Sequence, residues 1–167
     1  ILGRKDNFTF RYISNKANDP NVVSNLTFGE RFAGAQTLFD QNVAISETHV
    51  FSNTVLNEFR GSYIRRNLDF PENDTQTLTT NISGFFNFGG LSNFPQSRIT
   101  NYYQLSDTLS WTAGNHGLKF GADIRDNQLF NKAGFDLKGT YNFNNFADYL
   151  NNNAFSFAQA VSATNFL

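Results

Sequence analysis

His49 and His116 are the only imidazoles in a chain of 167 residues that has no cysteine. A zinc site needs three or four ligands within reach. The segments around the two histidines offer no evident third and fourth ligand, so no metal is expected. Both histidines sit beside short turns and are expected to face solvent at a rim. The lack of cysteine removes disulfides and thiolate nucleophiles. No G-x-S-x-G elbow presents a serine, and no glycine-rich phosphate loop opens a helix. Glu47, Glu58 and Asp123 are placed to pair with Arg60 or Lys119 across a wet face, not to act as an acid–base couple. Neither enzymatic activity nor a cofactor is expected.

Two other groups are suited to binding. Phe85-Phe86-Asn87-Phe88-Gly89-Gly90-Leu91 sets apolar side chains on a glycine-punctuated loop. Phe85, Phe86, Phe88 and Leu91 are ligand-binding candidates, because exposed rings stack on a solute. Packing of the same rings within the loop is the simpler explanation of the pattern. Arg60, Lys119, Asp123 and Arg125 form a charged stripe that would line a lumen and tune what passes; ordinary lumen polarity explains it equally well.

The elements that must position these residues are two-faced strands. In Tyr103 to Trp111, the residues Tyr103, Leu105, Leu109 and Trp111 oppose Gln104, Ser106, Thr108 and Ser110. After Thr112-Ala113-Gly114-Asn115, the residues Leu118, Phe120, Ala122 and Ile124 oppose Gly117, Lys119, Gly121, Asp123 and Arg125. Such alternation marks strands. An apolar face ending in rings fits the lipid side of a membrane barrel. It also fits a soluble sheet with one face on a core. Tyr103 and Trp111 span ~26 Å along the strand, which a tilt of ~40° reduces to ~20 Å of height, against the ~25 Å apolar band of outer-membrane barrels. Tyr63, Tyr103 and Trp111 are the expected membrane girdle. Asp107 on the apolar face opposes a simple membrane strand unless a bulge or an interface accommodates it.

The same reading places strands at about 6–13, 37–51, 54–68, 101–112 and 116–130, with a weaker sixth at 135–143. A polar connection at 14–36 contains the turn signal Asp19-Pro20-Asn21, and 70–100 is a second long loop. Asn145 is a candidate N-cap for a short helix over 146–150, which Phe155, Phe157, Ala158 and Val161 would extend. Long loops and short turns then alternate, so each kind collects at one end of the meander, as in outer-membrane barrels. Loops of over twenty residues are unusual in a compact soluble domain.

Composition agrees. The chain has 20 Phe and 6 Tyr with a mean hydropathy of −0.42. It holds no apolar run long enough for a membrane helix. A formal net charge of −1 gives no reason to expect nucleic acid as a partner. There is no Met, and the first residues do not form a signal peptide. The expectation is an internal fragment of a longer protein, an arc of wall, because closed barrels of this kind begin at about eight strands.

Three segments taken together carry a family resemblance: Leu91-Ser92-Asn93-Phe94-Pro95-Gln96, Tyr103 to Thr112, and Gly114 to Arg125. They resemble the barrel of TonB-dependent outer-membrane receptors, most closely the Oar-like group, whose members carry a carboxypeptidase-regulatory-like domain before the plug. Phe51 to Tyr63 and the segment Phe146-Ala147-Asp148-Tyr149-Leu150 are similar to parts of that group as well. The resemblance covers roughly 6–150. It implies an all-β antiparallel up-and-down meander, an arc of a large transmembrane β-barrel in the cell outer membrane, with a short helix in a long extracellular loop. It also implies outer-membrane lipid around the wall, active uptake of a large unknown solute, and the TonB complex as a partner through a plug absent from this chain. The competing expectations are a structural or adhesive barrel without transport, and a soluble carbohydrate-binding β-domain.

Overall fold

The computed structural model describes residues 5–23 and 30–161. Five long strands form one sheet: β1 (Asp6–Val23), β2 (Gly34–Ser52), β3 (Val55–Phe70), β6 (Gln96–Ala113) and β7 (His116–Ala133). Their order is β1-β2-β3-β6-β7, an antiparallel meander. A second sheet, in the order β5-β4-β8-β9, is built from β4 (Thr79–Ile82), β5 (Asn87–Phe88), β8 (Thr140–Phe143) and β9 (Ser156–Ala158). The one α-helix among the described residues, α1, covers Phe146–Leu150.

The chain divides into two compact units. The first comprises 1–15, 39–66 and 99–130; the second comprises 16–38, 67–98 and 131–167. In the first unit large apolar side chains stand open: Phe10 is 61% exposed, Phe120 56% and Ile124 68%. A soluble sheet would bury such a face. The apolar residues also stop at a common boundary. Tyr12, Val43, Tyr63, Tyr103 and Ile124 are each followed, at the next alternate position away from the short turns, by Ser14, Gln41, Arg65, Asn101 and Asp126. The strands are 16 to 19 residues long, against about 9–11 needed to cross a bilayer. About half of each strand therefore carries the apolar band, and beyond it the same positions are mostly polar, with Val22, Phe39, Ile99 and Phe130 as the apolar exceptions.

Of the turns joining the long strands in the first unit, the first lies one residue beyond the expected Ser52-Asn53 and the second is shorter than the four residues the sequence indicates. Asn53-Thr54 joins β2 to β3, with the Thr54 N–H donating to Ser52 Oγ at 3.2 Å. Gly114-Asn115 joins β6 to β7, and Gly114 takes φ 61°, the positive value a two-residue hairpin turn demands at its first central position.

Three expectations are corrected. β1 does not stop near residue 13 but runs to Val23 through Asp19-Pro20-Asn21. β1 is an outer strand of its sheet, where a missing proline N–H is tolerated. The stretch 24–29 of the expected connection lies outside the described residues. The sixth strand exists only as β8 and does not join the wall; it pairs in parallel with β4, Thr79 opposite Thr140 and Ile82 opposite Phe143. Phe155, Phe157 and Ala158 do not extend the helix. Tyr141 instead pairs with Phe157 across the antiparallel β8–β9 ladder, and Asn152 with φ 53° follows the end of the helix.

Candidate functional site

On the polar face of the first unit, side chains from all five long strands line a groove of about 540 Å³, among them Arg11, Ser46, Arg60, Ser62, Gln104 and Asp123. Arg125 donates through Nε to Asp123 Oδ1 at 2.6 Å, and Gln104 donates to Asp123 Oδ2 at 2.8 Å. Arg60 lies 3.5 Å from Glu58. Arg60 and Asp123 thus line one groove, with Arg125 held on Asp123, while Lys119 is exposed farther along β7. Arg11 stands opposite Phe8, Phe10 and Tyr12 by alternation, but its place in one groove with Arg60 and Asp123 follows only from which strands become neighbours. The arrangement suits a polar solute with hydroxyl or anionic groups.

Tyr63, Tyr103 and Trp111 stand on the apolar face. Tyr63 and Tyr103 stack with ring centroids 4.9 Å apart, and the Tyr63 hydroxyl donates to Asn101 at 3.0 Å. Trp111 is 44% exposed. Gly61 leaves an apolar notch of about 290 Å³ between Val43, Ile45, Tyr63 and Leu105; a Cβ there would lie 3.1 Å from Ile45. Asp107 does not stand alone on this face, since Asn57 Nδ2 donates to its carboxylate at 2.8 Å.

The loop aromatics come together in the second unit. Asn145 caps α1, its side chain accepting from the Asp148 N–H at 2.8 Å, and this first turn presents Phe146 to Phe85. The two rings stack at 4.4 Å, and Phe85 also meets Phe86 at 4.2 Å. Tyr149 receives Phe88 at 5.7 Å and Phe143 at 5.3 Å. Phe86 and Phe88 are half-buried, whereas Phe85 is 54% and Phe146 38% exposed. Part of the group therefore packs on itself and part faces outward. Leu91 stands apart from these rings. It packs with Phe94 over Gly34, where a Cβ would come within 2.5 Å of the Phe94 ring. Phe146 and Tyr149 were missed as site residues because they lie about sixty positions along the chain; the capped helix was their only local signal.

A buried polar network ties the two loops together. Lys138 pairs with Glu72, their side chains 13% and 3% exposed, and donates to the Asp74 carbonyl at 2.8 Å. Asp74 is 5% exposed. The Thr77 and Gln76 N–H groups, the Thr77 hydroxyl and Arg31 Nε all donate to its carboxylate at 2.8 Å. These bonds, the Thr77 N–H foremost, hold its pKa well below the usual carboxylate range against the opposing effect of burial. Gly89, at φ 87°, passes so close to the Leu78 carbonyl that a Cβ would lie 1.9 Å from its oxygen.

The chain matches a family model described as an outer membrane beta barrel domain over residues 1–166. No curated protein and no solved structure matches it.

Proposed function

Because the chain belongs to the outer membrane beta barrel domain family and lies in the outer membrane, we propose that it is the solute-receiving arc of a TonB-dependent, Oar-like receptor that actively imports a large solute. The observation that carries this reading is the folding of two long loops into a sheet of their own, locked by Lys138–Glu72 and bearing the outward rings Phe85 and Phe146. A surface built this way is preorganised, which lowers the entropic cost of capturing a ligand. By the general rule for these barrels the short turns face the periplasm and the long loops the exterior. The rings then belong to the loops that this rule sets at the exterior, and the polar groove at Arg11, Arg60 and Asp123 belongs to the wall's lumen side. Energy would come from TonB through a plug supplied by residues outside this chain.

Cells carrying the full-length protein test this with labelled ferric siderophores, cobalamin, oligosaccharides and peptides. Import of one of them that a protonophore abolishes, and that Phe85→Ala with Phe146→Ala reduces at least tenfold at limiting solute, supports the reading. Permeation indifferent to the protonophore, or no permeation of any of the four classes, leaves a passive, structural or adhesive wall.

A further inference from the structure

Asp6 opens β1, and His49 stands three positions before the end of β2 at Ser52. The two meet across the strands, His49 Nδ1 against Asp6 Oδ1. Glu47 lies two positions from His49 on the same face as Val43 and Ile45, and not on the wet face where pairing with Arg60 or Lys119 is expected of it. One ligand atom from each of Asp6, Glu47 and His49 falls within 4.8 Å of the others. This face is the apolar one: Phe8, Phe10 and Tyr12 follow Asp6 at alternate positions, and the Phe51 ring meets His49 edge-on at 4.4 Å.

Two carboxylates beside one another on the hydrocarbon-facing side of an outer-membrane wall are costly, because charge is poorly solvated there. A divalent cation with neutral imidazole cancels both charges. Imidazole with two carboxylates is also a donor set that zinc takes. We propose that Asp6, Glu47 and His49 form a zinc-type divalent metal site on the apolar face near the short-turn end, stapling β1 to β2 and neutralising the charges placed there. Asp6 and His49 retain 21% and 32% side-chain exposure, which leaves room for a water or a lipid oxygen as fourth ligand. The site does not depend on the import reading.

The test is titration of the EDTA-stripped full-length protein in detergent with zinc chloride, followed by calorimetry and metal analysis. One equivalent is expected to bind. Asp6→Asn, Glu47→Gln and His49→Gln, near-isosteric changes, should each weaken binding at least tenfold, while His116→Gln should not. Resistance of the folded barrel to unfolding in detergent, read as the mobility difference between heated and unheated samples, should rise with zinc in wild type only. Failure to bind zinc overturns the proposal, as does equal binding by all four variants. A variant that loses its unheated barrel mobility is replaced by the other two, so misfolding of one leaves the test intact.

Discussion

Lys138 reaches back 66 positions to donate to the Glu72 carboxylate, and both side chains are largely withdrawn from water. The pair joins the loop after β3 to the loop after β7. Removing one partner leaves a buried charge without compensation, which typically costs about 3–5 kcal/mol. Lys138→Met should therefore loosen the second sheet, seen as faster amide exchange over 72–90 and 136–158. Lys138→Met with Glu72→Leu should recover part of the loss, and a double variant as exchange-labile as the single one would show that the pair is not what holds the loops.

Asp74 sets an acid limit on the same region. Its folded pKa is depressed by the Thr77 N–H first, then by the Gln76 N–H, the Thr77 hydroxyl and Arg31. A depressed carboxylate contributes stability that is fully present above its unfolded pKa and is lost as pH falls through the folded value. Amide protection over 72–80 should thus be flat from neutral pH to about pH 5 and decline below it. Asp74→Asn should be less protected at neutral pH and less sensitive to acid than the wild type, with the Lys138–Glu72 pair left to supply the remaining sensitivity. Equal acid sensitivity in both proteins would place the effect elsewhere.

The two faces of β6 should respond unequally to charge. Leu105 is 53% exposed on the apolar face, and Ser106 lines the polar groove. Arginine on the lipid face of a barrel costs about 2–4 kcal/mol near the midplane, less toward the interfaces. Leu105→Arg should lower folding stability in lipid vesicles by about 2 kcal/mol, and Ser106→Arg by well under half of that. Urea titration in vesicles checks both, and equal losses would reject the assignment of faces.

Trp111, the one tryptophan in the chain, reports the girdle directly. Its fluorescence should be quenched by lipids brominated near the headgroup more than by lipids brominated near the tail end. Quenching by aqueous iodide alone would put it outside the bilayer.

Substituting Gly89 should be costly for reasons local to one loop. Both its φ of 87° and the 1.9 Å approach to the Leu78 carbonyl exclude a side chain. Gly89→Ala should cost more than the ~1 kcal/mol usual for a point substitution. The loss should appear as proteolysis between β4 and β5, while the long strands stay folded.

Alternation by itself determined the wall. A period of two fixes which side chains share a face, and this property of a strand needs no neighbour. It made Tyr63, Tyr103, Trp111, Arg60 and Asp123 legible, and the side chain of Asn145 announced α1. Strand lengths beyond the apolar band were less legible. Ser14 to Asn21 is almost wholly polar on both faces and carries a proline, so nothing in its pattern separates a strand from a loop. Only tertiary structure decided the second sheet, because β4 and β8 are four residues each and pair in parallel from distant loops. Neither is long enough to declare itself by period. The same holds for Lys138 with Glu72, Phe85 with Phe146, and Asp6 with His49. Each meeting depends on which strands or loops become neighbours, and no local pattern encodes that.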